Sequence, residues 1–338
     1  MSEDADAGPE CNEAAAGDTP DVGPLDRPVV IGLLTYKRPE LLADALPLLT
    51  DQLATLGDLP EGSCVLVVDN DPDASARLAA AEVPGVAYVH EPTPGIAAAR
   101  QAALEAAPAG ALLAFIDDDE HPETGWLAHL VSTWVRFDRP AGVAGRVLPA
   151  YQAAPSDWVV AGGFFVRRSL PTGTPVQAAG AGSLLLDLAQ VDRLGVSFDA
   201  SLGLKGGEDT LFTRQLTHRG GRLLWCEEAR ATDLVPVDRT TRRWVLQRAF
   251  SHAGAAARVD LSIADTPLRR AATRARLVGG GLARVPASGL LYLRGLVRRS
   301  PRDRARAPWL AMRGLGLAAG GMGYGLVEYR RSDSAATK

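Results

Sequence analysis

Lysine is nearly missing from this chain: Lys37, Lys205 and Lys338 are the only three, so Arg supplies 33 of the 36 basic residues. With abundant Ala and Gly, this marks a GC-rich coding bias, and Arg in place of Lys carries little functional weight. Cysteine is equally scarce. Cys11, Cys64 and Cys226 are far apart and form no Cys-x-x-Cys pair, which excludes a disulfide framework or a zinc site and fits a reducing cytoplasm. The five histidines, His90, His121, His129, His218 and His252, show no ligand spacing and read as structural. No apolar run reaches the roughly 18 residues a membrane-spanning helix needs, Gly314 to Val327 being the longest. The opening MSEDADAGPE has neither a basic nor an apolar region, so no secretory signal is expected.

What is present is a chain of 338 residues with 46% hydrophobic content, enough for one large domain or two small ones. Its net charge of -4 conceals a polarity. Residues 1–26 carry eight carboxylates and no Lys or Arg, and read as a disordered acidic leader. Residues 267–331 carry fourteen Arg against Asp303 and Glu328.

Between these ends, short apolar runs alternate with helical spacing. VVIGLL, CVLVVD, VAYVH and ALLAFI read as strands; PELLADALPLLTDQLATL, ASARLAAAE and GIAAARQAALEAA read as helices. This alternation implies right-handed βαβ units, hence an α/β fold with a mostly parallel central sheet covered on both faces. The alternation fades after residue 137. GGEDTLFTRQLTHRG then reads as a helix, RLLWCEEA as a strand, and everything from Thr240 as helical. The expected organisation is an acidic leader over 1–26, a nucleotide-binding domain over 27–258, a basic, apolar helical region over 259–331 and a tail over 332–338.

Ligands of open parallel sheets sit at the carboxyl ends of the strands. Three polar clusters occupy such positions: Thr35, Tyr36, Lys37 and Arg38; Asp69, Asn70 and Asp71; and Asp117, Asp118, Asp119 and Glu120. Four adjacent carboxylates repel one another, a cost that a divalent cation offsets. One or two carboxylates plus substrate phosphates is a usual Mg²⁺ arrangement, and Mn²⁺ takes the same oxygen ligands. The alternative is that Asp117 to Glu120 form a solvated helix N-terminus.

TYKRPELL, VVDND, PGIAAARQAAL, FIDDDE with Pro122 and Trp126, and GGEDTLF, in this order, resemble the family 2 glycosyltransferases of GT-A fold. The DNDP and IDDDE variants resemble the branch that includes succinoglycan-type glucosyltransferases. The likeness runs from about residue 28 to 258. It implies an inverting transferase that takes a sugar, as a UDP-hexose type of nucleotide sugar, to a hydroxyl of a glycan, lipid-linked or small-molecule acceptor, with Mg²⁺ or Mn²⁺ as cofactor. It further implies that Thr35, Tyr36, Arg38, Asp69, Arg100, Asp117 and Asp118 bind donor, that Asp117 and Asp119 hold the metal, and that Asp209 is the general base with Glu208 as its substitute. Relatives carry a metal-binding His after the strand that follows the GGED helix; here EEARATDLVPVDR has none, and Asp233 occupies that neighbourhood. A nucleotidyltransferase is the competing enzyme class, but TYKRP lacks that class's glycine-rich phosphate loop. A non-catalytic glycan-binding protein would need neither acidic motif.

The Arg-rich C-terminal third, interleaved with apolar stretches, fits peripheral attachment to the anionic inner face of the plasma membrane. Packing on a partner or a second copy is the alternative. Nucleic acid is not an expected partner, because stacking platforms and recognised nucleic-acid motifs are lacking.

Overall fold

The computed structural model describes residues 19–202 and 206–324. Eight strands form a single sheet: β1 (Val29–Thr35), β2 (Cys64–Asp69), β3 (Val86–His90), β4 (Leu112–Asp117), β5 (Glu120–Pro122), β6 (Gly142–Tyr151), β7 (Leu184–Asp187) and β8 (Leu223–Val235). Their spatial order is β3-β2-β1-β4-β7-β6-β8-β5. The β3-β2-β1-β4 half is all parallel; β7 runs against β4 and β6, β6 and β8 are parallel, and β5 runs against β8. The sheet is mixed, and six of its strands, β1 to β4 with β6 and β8, share one direction.

The helices are α1 (Pro39–Ala54), α2 (Arg77–Ala81), α3 (Ile96–Ala106), α4 (Trp126–Arg136), α5 (Asp157–Gly162), α6 (Leu188–Leu194), α7 (Glu208–His218), α8 (Arg242–Ile263), α9 (Pro267–Val297) and α10 (Pro301–Gly321). Successive side chains of a strand point to opposite faces, and both faces of β1 are covered. Val29, Ile31 and Leu33 join α1 and α4 in one core cluster. Val30 and Leu34 join α3, α6 and α7 in the other. The run VVIGLL is therefore continuously apolar, as a central parallel strand requires.

Two boundaries differ from the sequence expectation. Residues 19–26, counted with the acidic leader, belong to the folded body: Val22 and Leu25 pack on the core, and Asp26 pairs with Arg139 at 3.0 Å. The rest of the leader and the 332–338 tail lie outside the described residues. The domain end placed at 258 falls inside α8, which continues to Ile263 and packs on α10. The four-carboxylate run lies at a strand end, as expected, and not at a helix start: β4 ends at Asp117 and a two-residue turn leads into β5 at Glu120.

The C-terminal helices join the body through close, small-residue contacts. A Cβ at Gly316 would lie 2.2 Å from the Phe250 carbonyl oxygen, and one at Gly320 2.7 Å from that of Gly254, so glycine lets α10 lie directly on α8. Their other anchor is aromatic. Phe164 lies between Trp158 and Trp309, Phe165 stacks on Trp244, and Arg306 donates to the Gly162 carbonyl at 2.9 Å. The segment after α5 is thereby fixed to α8 and α10.

Candidate active site

The parallel strands β1, β2 and β4 end side by side, with Thr35 opposite Asp69 and Leu34 opposite Asp117 in the ladders. Topology alone thus brings the three polar clusters to one edge. Lys37 holds a left-handed φ of 54° just beyond β1, and the chain turns there so that Arg38 faces back across the β4 end.

The three aspartates have different surroundings. Asp118 is buried; it accepts from Thr35 Oγ1 at 2.9 Å and from Arg38 Nη1 at 2.9 Å. The side chains of Asp117 and Asp119 are 36% and 26% exposed, open to a ligand. Asp119 is approached by Arg38 at 3.3 Å and by Arg239 at 3.8 Å. Arg239 follows β8, and nothing in the sequence reading marked it, although it too lies just past a strand's carboxyl end.

Glu120 is buried beneath this row, its carboxylate accepting from the Asp117 amide at 3.4 Å. A Cβ at residue 182 would come within 2.3 Å of a Glu120 carboxylate oxygen, so Gly182 is dictated by that side chain. Across the β5–β8 ladder Glu120 stands opposite Asp233, whose carboxylate binds Arg167 at 2.9 Å. Burial pushes the Glu120 carboxyl well up, and Asp117, Asp119 and Asp233 add to this by repulsion. Asp117 is pushed up to about 6, first by the protein packed around it and then by Asp119, Asp118 and Asp209, against the pull of Arg100.

Arg100 lies on α3 and is buried rather than on the surface. Its guanidinium pairs with Glu208 through Nη1 and approaches Asp117 through Nη2 at 3.5 Å. It therefore ties the α7 N-terminus to the β4 end. Removing one member of a buried ion pair leaves the other charge uncompensated, a loss of about 3–5 kcal/mol. We expect Arg100→Met to lower unfolding stability by about 3 kcal/mol in denaturant titration; a loss below about 1 kcal/mol would contradict the pairing.

Glu208 is buried and engaged by Arg100, and burial raises its carboxyl pKa despite that cation, with Asp209 adding to the rise. Asp209 is partly exposed; a Cβ at Gly180 would lie 3.4 Å from its Oδ2. Gly207, with φ +93°, caps α7 in the left-handed region, where a Cβ would also press on Ala255 at 3.2 Å. That close approach sets where the helix starts and where Asp209 projects.

Asp69 faces inward. Its oxygens accept from the Asp71 amide, the Ala76 amide and the Tyr88 hydroxyl at 3.0, 2.8 and 3.0 Å, which holds the loop after β2. Asn70 joins that loop to the α3 entry, donating to the carbonyls of Glu91 and Thr93 and accepting from the Gly95 amide. Tyr36 is partly buried beside Lys37, whose Nζ reaches Asp71 at 3.9 Å.

Among the described residues, no three His, Cys, Asp or Glu side chains are already gathered into a metal-binding cluster. The open carboxylates Asp117 and Asp119 still form a hard oxygen donor pair. Their surplus negative charge, offset only in part by Arg38, Arg239 and Arg100, suits a divalent cation that takes its remaining ligands from a substrate's phosphates.

Residues 30–174 match the family model described as glycosyl transferase family 2. The succinoglycan biosynthesis protein ExoM of Rhizobium meliloti (strain 1021) is 34% identical over 227 residues, covering 65% of this chain and 71% of ExoM. Among solved structures, the mannosyltransferase PcManGT from Pyrobaculum calidifontis, in complex with GDP-Man and Mn²⁺, is similar at a TM-score of 0.55 and 21% identity, over 89% of this chain and 88% of that one. S. aureus TarS is similar at a TM-score of 0.49 and 14% identity; 75% of this chain is covered, but only 42% of TarS.

Proposed function

From the premise that this chain belongs to glycosyltransferase family 2 and has the GT-A fold, we propose that it transfers a hexose from a nucleoside-diphosphate sugar, of UDP-hexose type, to an acceptor hydroxyl with inversion at the anomeric carbon. One observation carries this reading. The α7 start that carries Asp209 is tied to the partly exposed carboxylates at the β4 end by Arg100, which pairs with Glu208 and approaches Asp117 at 3.5 Å.

The chain's own residues divide the work. The loop shaped by Asp69 and Asn70, with Tyr36 beside it, frames the nucleoside end of the donor. Thr35 and Arg38 fix Asp118, and Asp118 in turn fixes the β4–β5 turn, so Asp117 and Asp119 are presented to the diphosphate. Asp117 and Asp119 would hold a Mg²⁺ or Mn²⁺ ion, which would supply Lewis-acid compensation for the charge on the leaving diphosphate. Arg239 and Arg38, which flank Asp119, add positive charge on the same side. Asp209 takes the proton from the acceptor hydroxyl as its oxygen attacks the anomeric carbon, which is the single base an inverting displacement requires. Glu208, held by Arg100, positions α7 and leaves the base role to Asp209. Asp233, bound to Arg167 and raised first by burial and then by Asp119, supplies acidic character where relatives carry a His.

The acceptor is a glycan, lipid-linked or small-molecule hydroxyl, taken up on the side walled by the segment after α5, and the reaction takes place at the cytoplasmic face of an anionic membrane. The test is product stereochemistry. With an α-linked nucleotide sugar and an accepted hydroxyl compound, NMR should show a β-linked product; an α-linked product would overturn the single-base mechanism.

A metal-bound carboxylate must be ionised, which sets a pH dependence. With Asp117 at about 6, its charged form prevails above that pH and its neutral form below. Mn²⁺-dependent donor affinity measured by calorimetry should hold steady from pH 8 to 7 and fall as the pH drops through 6. Asp117→Asn should flatten that profile. A wild-type affinity unchanged between pH 7 and 5 would remove Asp117 from the donor–metal site.

A further inference from the structure

We infer that the outward face of α9 is a docking surface for an anionic lipid bilayer. This gives the membrane placement proposed above a defined contact face, and it stands on the surface of the protein independently of the transfer chemistry.

α9 has 31 residues, about 45 Å at 1.5 Å per residue, and packs almost wholly on α10. Its inward side is marked by the buried Leu277, Gly281 and Gly295. A Cβ at Gly281 would lie 2.6 Å from the Gly314 carbonyl, so the two helices touch backbone to backbone. At about 100° per residue, Leu282, Leu290, Leu293 and Val297 project from the opposite side. They are 53%, 69%, 58% and 85% exposed. Leu268, at 81%, extends the same stripe toward the helix start. Large apolar side chains aligned along one unpartnered helix face mark an interaction surface rather than scattered surface residues.

Charge selects the occupant. Residues 267–297 contain six Arg and no Asp, Glu or Lys, and Arg298, Arg299 and Arg302 follow before the first carboxylate, Asp303. On the helical wheel Arg276 and Arg294 border the apolar stripe on one side, where they pair with Asp260 and Asp303, and Arg274, which donates to the Gly321 carbonyl, lies toward the other; Arg298, Arg299 and Arg302 beyond the helix end keep the net charge of this face positive. An apolar stripe edged by cations matches the boundary between acyl chains and anionic headgroups, where such a helix lies in the plane of the interface. Pairing with a second copy through the same face would set two surfaces of net positive charge against each other, since Asp260 and Asp303 offset only Arg276 and Arg294. No described helix is long and apolar enough to cross a membrane. The Gly314–Val327 run, the longest apolar stretch in the sequence, is not the contact as far as it is described, because Gly314, Gly316, Ala318 and Gly320 are buried against α8 and α9. The lipid face lies on α9.

The experiment is co-sedimentation of the full chain with vesicles of phosphatidylcholine alone or mixed with phosphatidylglycerol, beside the double variant Leu290→Glu/Leu293→Glu. Both leucines are exposed, so the variant should keep the wild-type melting temperature and donor affinity. The full chain should bind the mixed vesicles at low salt and the neutral vesicles far less. Raising salt should release part of it, as surface charges become screened. The variant should lose at least about tenfold in vesicle partition, because two apolar anchors become anions. Equal partition of variant and wild type would remove α9 as the face while leaving membrane binding in place. Absence of binding to either vesicle, or equal binding to both, would overturn the bilayer as occupant. So would a lipid-free dimer in sedimentation velocity that the double variant abolishes.

Discussion

Asp209→Asn should reduce transfer by a factor of at least about 10², the usual scale of general-base catalysis, while leaving donor and metal binding intact. The asparagine keeps the shape of the side chain at the start of α7 but cannot take the acceptor proton. The fold should be unaffected, because the residue is only partly buried and the buried anchor of the helix start is Glu208 with Arg100. The decisive comparison is Glu208→Gln. That change leaves Arg100 without a full counter-charge in a buried position, so it should act mainly through stability and the placement of α7. Unfolding curves measured beside kcat separate the two outcomes. If Asp209→Asn were mild and Glu208→Gln kept wild-type stability yet lost turnover, the base would be Glu208.

Asp119→Asn should abolish measurable transfer and weaken Mn²⁺-dependent donor binding, while donor binding measured with a chelator present should change little. Asp119 is an open carboxylate at the β4–β5 turn with arginines on two sides, Arg38 and Arg239. Neutralising it removes the charge that offsets a cation and leaves those arginines facing one carboxylate fewer. Near-normal turnover in this variant would refute the metal assignment. The middle residue, Asp118, should behave differently. Asp118→Asn disturbs the bonds to Thr35 and Arg38, so its defect should appear in stability as well as in donor affinity.

The parallel half of the sheet was legible in the sequence because its inner strands β1, β2 and β4 are buried on both faces and read as unbroken apolar runs, while the edge strand β3 is only partly buried. The same local grammar placed the polar clusters at strand ends, and the ladder brings Thr35, Asp69 and Asp117 to one edge. What local reading could not supply was pairing across long separations. Arg100 reads as an ordinary helix residue until Glu208, distant in sequence, comes to meet it. Asp69 has the position of a ligand-binding carboxylate, but its bonds to Ala76 and Tyr88 exist only once the loop closes. Arg239 follows a strand that local pattern ended too early, since β8 continues to Val235.

The C-terminal helices show the same limit in another form. Glycine-rich α10 and leucine-rich α9 have similar composition, and only packing decides which apolar surface is internal. α10 turns its glycines onto the backbones of α8 and α9, while Leu268, Leu282, Leu290, Leu293 and Leu296 of α9 remain outside. Composition foretold a basic, apolar helical region and could not say which side of which helix stays open. In the same way Val22 and Leu25, embedded in an acidic stretch, give no local hint that they cover the core.

The central claim is a nucleotide-sugar transferase that depends on a divalent metal held at the β4 end. Its most direct measurement is release of nucleoside diphosphate from a panel of nucleotide sugars by the full chain, with Mn²⁺, with Mg²⁺ and with a chelator, run in parallel on Asp119→Asn. Slow but measurable release is expected from at least one UDP-hexose with metal, with loss of that release in chelator and no release by the variant under any condition. Release that is indifferent to chelator and equal in wild type and Asp119→Asn would contradict that claim.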